Sequence, residues 1–341
     1  MQALQFALFI VLLELTAGSF ISLFLLDLRG DTTRGFVVFQ GALYLGFAVL
    51  ALLAMNAFAT PELTRGDGLN VDGSWLDAQR PLLLAAIALL LVWNLLLWRD
   101  KQPRGAKKPR GAARSTEPLT ANKLRLARSI VGALTAALWL VALFAVGMAY
   151  RTLGAAHLDG AFVVLTFVAG GIALGSVMTA MLLGHWYLNT PTASGKPLEF
   201  STALVLVALV LELAFSLAIG PSTAHATTPL LNAAPGTTIA SHGHTVTVST
   251  PTVAPNITPA VTSGAPGANR AVRVTPLSTT AMQWLQVLMG ILSPLILGGV
   301  ALWLTRGRSF QSATGMLYLC VAFIFIGEIL GRGLLIAPIF S

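Results

Sequence analysis

The sequence has little charge and only one cysteine. Of its 341 residues, 10% are Asp, Glu, Lys or Arg and 55% are hydrophobic. An average soluble domain has about 25% charged residues, so this composition suits lipid better than an aqueous surface. Disulfide frameworks, cysteine-ligated zinc sites and iron–sulfur clusters need more thiolates than Cys320 alone supplies. We therefore expect none of these sites within the chain.

Histidine is also scarce in the apolar runs. Four of the five histidines lie between those runs, at His157, His225, His242 and His244. A b-type haem bridging two helices needs two facing histidines inside the membrane, so we expect no haem, and no metal site is predicted. His185 ends an apolar run beside Trp186 and Tyr187. It belongs either to an interfacial aromatic belt or to a proton-transfer group.

Long apolar runs predict the fold. Backbone polar groups in hydrocarbon must bond within their own segment, so each run of about 20 residues predicts a helix. The first run carries Glu14 and lacks a basic n-region, which favours a retained span over a cleaved signal peptide. We predict an all-α, polytopic membrane bundle of about eight transmembrane helices, near 3–27, 36–59, 81–98, 129–149, 161–187, 201–220, 284–305 and 313–336.

The distribution of positive charge predicts the orientation. Ten of the 21 Lys and Arg residues lie in the loop 99–128. If that loop is cytoplasmic, the cytoplasmic segments hold fifteen of these residues and the external ones five. We therefore expect a multi-pass protein of the cytoplasmic membrane with both termini extracytoplasmic, whose basic loop contacts anionic lipid and not nucleic acid.

The segment 221–283 is then an extracytoplasmic loop. Thr, Pro, Ala, Ser and Gly dominate it, and this composition buries little apolar surface. Within it, the alternating segments 244–248 and 271–274 are candidates for a small hairpin.

Four charged side chains fall inside the predicted spans: Glu14, Glu212, Glu328 and Arg332. Each costs roughly 2.5–3.5 kcal/mol at the centre of a bilayer, so each needs a partner or a function. Glu328 and Arg332 are four residues apart, so they share a helix face and can pair. The glycines around them suit a tight helix seam and a head-group pocket equally well: Gly327, Gly331 and Gly333. Glu14 and Glu212 are either neutral hydrogen-bond donors to a neighbouring helix or proton carriers.

The eighth predicted span contains the motif Gly-Glu-x-x-Gly-Arg, from Gly327 to Arg332. The motif resembles the last span of the membrane-anchor subunit of dimethyl sulfoxide reductase, a relative of the NrfD-like quinol-interacting membrane subunits. That family also has eight spans with both ends outside. The resemblance implies a subunit that binds menaquinone or ubiquinone and exchanges electrons with an external iron–sulfur subunit, while a third subunit is catalytic. It implies quinone-binding roles for Glu328 and Arg332.

Three functions remain open from the sequence. In a quinone-reactive anchor, Glu328, Arg332 and Glu14 bind the head group, Glu212 and His185 transfer protons, and no residue is catalytic in its own right. In a proton-coupled transporter, Glu14 and Glu212 are the coupling sites. In a structural or assembly subunit of a larger complex, faces rich in glycine, including Gly171 and Gly175, pack against other helices.

Overall fold

The computed structural model describes residues 2–58, 73–100, 119–151, 160–189, 194–219, 238–241, 244–247 and 279–336. Eight helical segments within this part of the chain are long and apolar enough to cross a membrane, which confirms the predicted class and number of spans. The first six are α1 (Gln2–Arg29), α2 (Arg34–Phe58), α3 (Gly73–Arg99), α4 (Leu119–Tyr150), α5 (Ala161–Asn189) and α6 (Lys196–Ile219). The seventh comprises α7 (Thr279–Gln286), a π-helix (Val287–Leu292) and α8 (Ser293–Arg306), and the eighth is α9 (Phe310–Ile336).

Several helices extend beyond the apolar runs that predicted them. Helix α3 begins at Gly73 and not near residue 81, and α4 begins at Leu119 and not near residue 129. The apolar run marks only the part of a helix that suits hydrocarbon. Helical hydrogen bonding continues through residues such as Asp77 and Lys123, whose side chains need no apolar surroundings.

The helices form two rings of four that share the seam between α1 and α5. In the first ring, α1 contacts α2 and α4, and α3 contacts both of these helices and completes the ring. In the second ring, α5 contacts α6 and α9, and α8 contacts both of these helices and completes the ring. Burial identifies the central helices. In α1 and α5, 83% and 67% of the most apolar window is buried, against 28–44% in the other six spans.

Three glycines bring α1 and α5 into backbone contact. A Cβ atom added to Gly175 would overlap the backbone of Gly18 and Ser19, and one added to Gly18 would overlap the carbonyl of Gly171. Only glycine permits so close an approach. The expectation that Gly171 and Gly175 pack against another helix is confirmed.

The side of the bundle where α1 ends is called the second side here, and the side where α1 begins is the first side. On the second side, Arg128 of α4 forms ion pairs with Asp27 at the end of α1 (3.3 Å) and with Asp100 after α3. Helix α1 stops at Gly30, whose φ of 68° lets its N–H return to the carbonyls of the last turn. Arg34 donates to the last carbonyls of α3. These contacts hold α1, α2, α3 and α4 together on the second side.

The seventh span departs from regular helix geometry next to Pro294. Proline has no N–H and its ring crowds the carbonyl four residues earlier, here that of Gly290. The N–H and the hydroxyl of Ser293 both donate to the Leu288 carbonyl five residues back, which is π-helical bonding. The widened turn places Gly290 against Gly327 of α9, where an added Cβ would lie 2.7 Å from the Gly327 Cα.

Residues 223–278 form a second compact unit. Its described part is an antiparallel hairpin of β1 (Thr238–Ser241) and β2 (His244–Thr247), with Thr238 opposite Thr247 and Ser241 opposite His244. The predicted strand near 244–248 is thus present, but its predicted pairing with 271–274 is wrong, because its partner is β1. The other candidate segment, 271–274, lies outside the described residues.

Candidate functional site

Helices α1, α5, α6 and α9 bring four charged side chains together inside the bundle. Glu14, Glu212, Glu328 and Arg332 are 0%, 4%, 3% and 5% exposed, respectively. Arg332 forms an ion pair with Glu328 at 2.9 Å, so the pairing predicted from their spacing is confirmed. We call these four residues the charge cluster.

Arg332 is bound by groups from two other helices. Its Nε donates to Oε1 of Glu14 at 2.9 Å, and its Nη2 lies 2.7 Å from the same oxygen. Nη2 also donates to the backbone carbonyl of Thr166 at 3.2 Å, and the guanidinium stacks over the ring of Phe167, 4.2 Å from its centroid. These contacts fix the guanidinium plane between α1 and α5.

Glu212 joins the cluster from α6. Its carboxyl group lies beside that of Glu328, and its Oε2 has no partner in the described part of the chain. Two adjacent buried carboxylates repel each other, and protonation of one of them removes the repulsion. Three ionised carboxylates beside one guanidinium would also leave two unbalanced negative charges in a poorly polarisable interior. The geometry therefore requires the cluster to hold protons.

A glycine in α5 provides the space for the ion pair. A Cβ atom at Gly170 would meet Oε1 of Glu328 and lie 2.6 Å from Nη2 of Arg332. Any larger residue at this position would push the pair away from α5. Thr166, Phe167 and Gly170 were not among the predicted site residues. A backbone carbonyl and a missing side chain give no chemical signal in a sequence.

A cavity of about 190 Å³ adjoins the charge cluster inside the second ring. Arg332, Glu212 and Gln286 lie in its polar part. Its outer part is apolar, and two of the side chains there are largely exposed, Trp284 at 64% and Leu217 at 60%. The cavity is lined by Val163, Thr166, Glu212, Ser216, Leu217, Ile219, Gln283, Trp284, Gln286, Val287, Gly331, Arg332, Leu334 and Leu335.

The predicted site residues do not all meet at this cavity. Arg332 and Glu212 line it. On the side away from the cavity, Glu14 contacts Arg332, and Glu328 lies beside Glu212. Glu14 and Glu212, which the transporter hypothesis treats as coupling sites, belong to the same cluster. His185 lies near the opposite end of α5, exposed, with its Nδ1 3.4 Å from the hydroxyl of Tyr318.

Metal ligands are not grouped near the cavity. No set of three or more His, Cys, Asp or Glu residues in the described ranges is arranged to hold a metal ion. No known family model matches the chain, and no curated protein is similar to it.

Proposed function

We propose that the chain is the membrane-anchor subunit of a respiratory oxidoreductase and that the cavity binds the head group of menaquinone or ubiquinone. The observation that carries the proposal is the cavity itself. It has a guanidinium and a carboxyl group at its polar end and apolar side chains at its mouth. A quinone has the same division, with two carbonyl oxygens on a ring and an apolar tail.

The lining fits this ligand in chemistry and in size. Arg332 is a donor to a carbonyl oxygen, and Gln286 offers an amide donor on the facing wall. The free Oε2 of Glu212 is an acceptor for a quinol hydroxyl. The cavity is smaller than typical ligand pockets of about 300–1,000 Å³, so it suits a ring whose tail leaves past Trp284 into lipid.

The residues of the site position the ring and move protons. A bound quinol supplies two electrons and two protons when it is oxidised. Glu212 accepts one of these protons at Oε2, and the second passes by way of Glu328 to Oε2 of Glu14, which has no partner in the described residues. Arg332 keeps the carboxyl groups close to a positive charge. Burial of the cluster keeps competing water away from the reacting oxygens.

The electrons leave through partner subunits. The chain has one cysteine and no metal-ligand group in the described residues, so the proposal requires an iron–sulfur subunit and a separate catalytic subunit. The predicted orientation makes the first side extracytoplasmic, and we place the partners there. Co-purification with a cysteine-rich, ferredoxin-like protein supports this assignment, and isolation of the chain alone under mild detergent counts against it.

Filling the cavity tests the site directly. Ser216→Phe places a ring inside the cavity, and we expect the Kd of a tritiated short-tailed quinone in nanodiscs to rise at least tenfold, about 1.4 kcal/mol. The matched control is Ala214→Phe, two residues away on the exposed face of α6, which should bind as the wild type does. Equal quinone binding by both variants would show that the quinone does not bind in this cavity.

The Glu328→Gln variant distinguishes the quinone-reactive anchor from the structural-subunit hypothesis. The amide keeps the shape of the side chain and can still bond to Glu212, but it cannot take part in proton exchange. We expect the assembled complex to form normally while quinol oxidation falls about 10²-fold, the lower range for loss of a positioned acid–base group. Unchanged quinol oxidation by the assembled variant complex would favour the structural-subunit hypothesis.

A further inference from the structure

A column of buried polar side chains continues from the charge cluster towards the second side. It consists of Ser19 and Ser22 on α1, Gln40 and Tyr44 on α2, and Thr179 on α5, and we call it the polar column. All five are at most 1% exposed. They lie along the seam between α1 and α5, on the side of the first ring.

The centre of the column is a set of hydrogen bonds between three helices. The Tyr44 hydroxyl lies 2.8 Å from Oγ1 of Thr179. The hydroxyl of Ser19 reaches the Gly175 carbonyl at 3.5 Å. Oγ1 of Thr179 also donates to the Gly175 carbonyl at 2.9 Å. A hydroxyl both donates and accepts, so this group passes a proton along when the hydroxyls rotate from the carbonyl towards one another.

Above and below this centre, several buried polar atoms have no partner in the described part of the chain. Towards the charge cluster the unpartnered atom is Oε2 of Glu14. Towards the second side they are the hydroxyl of Ser22 and both amide atoms of Gln40. Leaving such atoms without a hydrogen bond costs about 1–3 kcal/mol each. Buried groups of this kind are usually satisfied by ordered water. The column therefore has the properties of a hydrated chain.

The levels of the column are spaced for bridging by water. Glu14 and Ser19 are five residues apart on α1, as are Ser22 and Asp27. Each pair is separated by a rise of about 7.5 Å along the helix axis and by about 140° around it. In the proposed route, a short row of waters held between α1 and its neighbouring helices bridges each gap, with hydrogen bonds of about 2.8 Å. Asp27 then pairs with Arg128 at the second side of the bundle.

We propose that the polar column conducts protons between the second side and the charge cluster. A proton taken up from water near Asp27 passes along the hydroxyl groups and bridging waters and arrives on the carboxylate of Glu14. Glu14 and Glu328 both pair with Arg332, so the proton continues past the guanidinium to Glu328, Glu212 and the cavity. Protons released by quinol oxidation take the same path in reverse. The column's members are uncharged hydroxyl and amide groups that relay protons through hydrogen bonds and offer no carboxylate to hold a metal cation, so the route suits protons and not larger ions.

This route extends the proposed function without depending on it. If the cavity binds a quinone, the protons of its chemistry exchange with the opposite side of the membrane, and electron transfer moves charge across it. If the cavity binds no quinone, the column still joins the two sides.

Voltage-driven proton uptake tests the column. The full-length chain is placed in liposomes that enclose a pH-sensitive dye, and valinomycin sets a potassium diffusion potential. We expect proton entry faster than in protein-free liposomes, and loss of that excess in Gln40→Leu and in Tyr44→Phe, which removes a single hydroxyl. Thr305→Val is the control, because its buried hydroxyl bonds only to the Ala301 carbonyl of its own helix; it should conduct as the wild type does.

Each result has a defined meaning once the variants are shown to unfold at the wild-type temperature. Wild-type flux equal to that of protein-free liposomes overturns the proton route, as does wild-type flux in both column variants. Binding of the tritiated quinone is measured on the same preparations. Quinone binding without flux refutes only the column, and flux without quinone binding refutes only the proposed quinone site.

Discussion

Arg332→Leu is expected to destabilise the bundle by about 3–5 kcal/mol, the typical effect of removing one partner from a buried ion pair. The guanidinium is the only cation within the charge cluster, and it contacts Glu14, Glu328 and the Thr166 carbonyl. Without it, these groups remain buried and lose their donors. The free energy of unfolding in mixed detergent micelles, followed by circular dichroism, measures the loss.

The control for this prediction is Arg306→Leu at the exposed end of α8, where a change within about 0.5 kcal/mol is expected. A second variant isolates the charge. Combining Arg332→Leu with Glu14→Gln removes one unpaired carboxylate, so the double variant should recover part of the lost stability. If Arg332→Leu alone is as stable as the wild type, the cluster does not hold the ion pairs on which the proposed site depends.

The spans were predictable because hydrocarbon imposes a simple rule. Backbone groups in lipid must bond within the segment, so apolar length alone identifies eight helices. The ends were less predictable. Helix α4 begins ten residues before its apolar run, because helical bonding does not stop where lipid does. The π-helical turn beside Pro294 was not anticipated either, since a proline permits several local adjustments and the packing of Gly290 on Gly327 selects one.

The charge cluster was only partly visible in the sequence. Glu328 and Arg332 are one turn apart, and any helix brings such residues together. Glu14 is 318 positions from Arg332, and no local rule predicts which helices of a bundle become neighbours. The high cost of charge in lipid identified both residues individually. Their meeting, and the place of Glu212 beside them, depends on how α1, α6 and α9 pack around α5.

We expect the second large loss of stability from a substitution at the seam between α1 and α5, where the two helices pack closely. Gly175→Ala adds one methyl group where the backbone of Gly18 and Ser19 already lies. Overpacking costs typically 1–3 kcal/mol when side chains can move aside. Here the obstacle is backbone on a central helix, so we expect a loss of about 3 kcal/mol or more, read as a lower unfolding temperature in detergent.

Gly46→Ala is the matched control for the seam, because a Cβ atom there meets nothing within 4 Å. Alanine favours helix over glycine by up to about 1 kcal/mol, so this variant should be at least as stable as the wild type. Gly175→Ala is also expected to affect quinone binding. Separating α1 from α5 moves Glu14 away from the Arg332 guanidinium that Thr166 and Phe167 hold, so Gly175→Ala should also weaken quinone binding. A stable Gly175→Ala protein with normal binding would show that the two rings tolerate separation and that the cluster does not require their close contact.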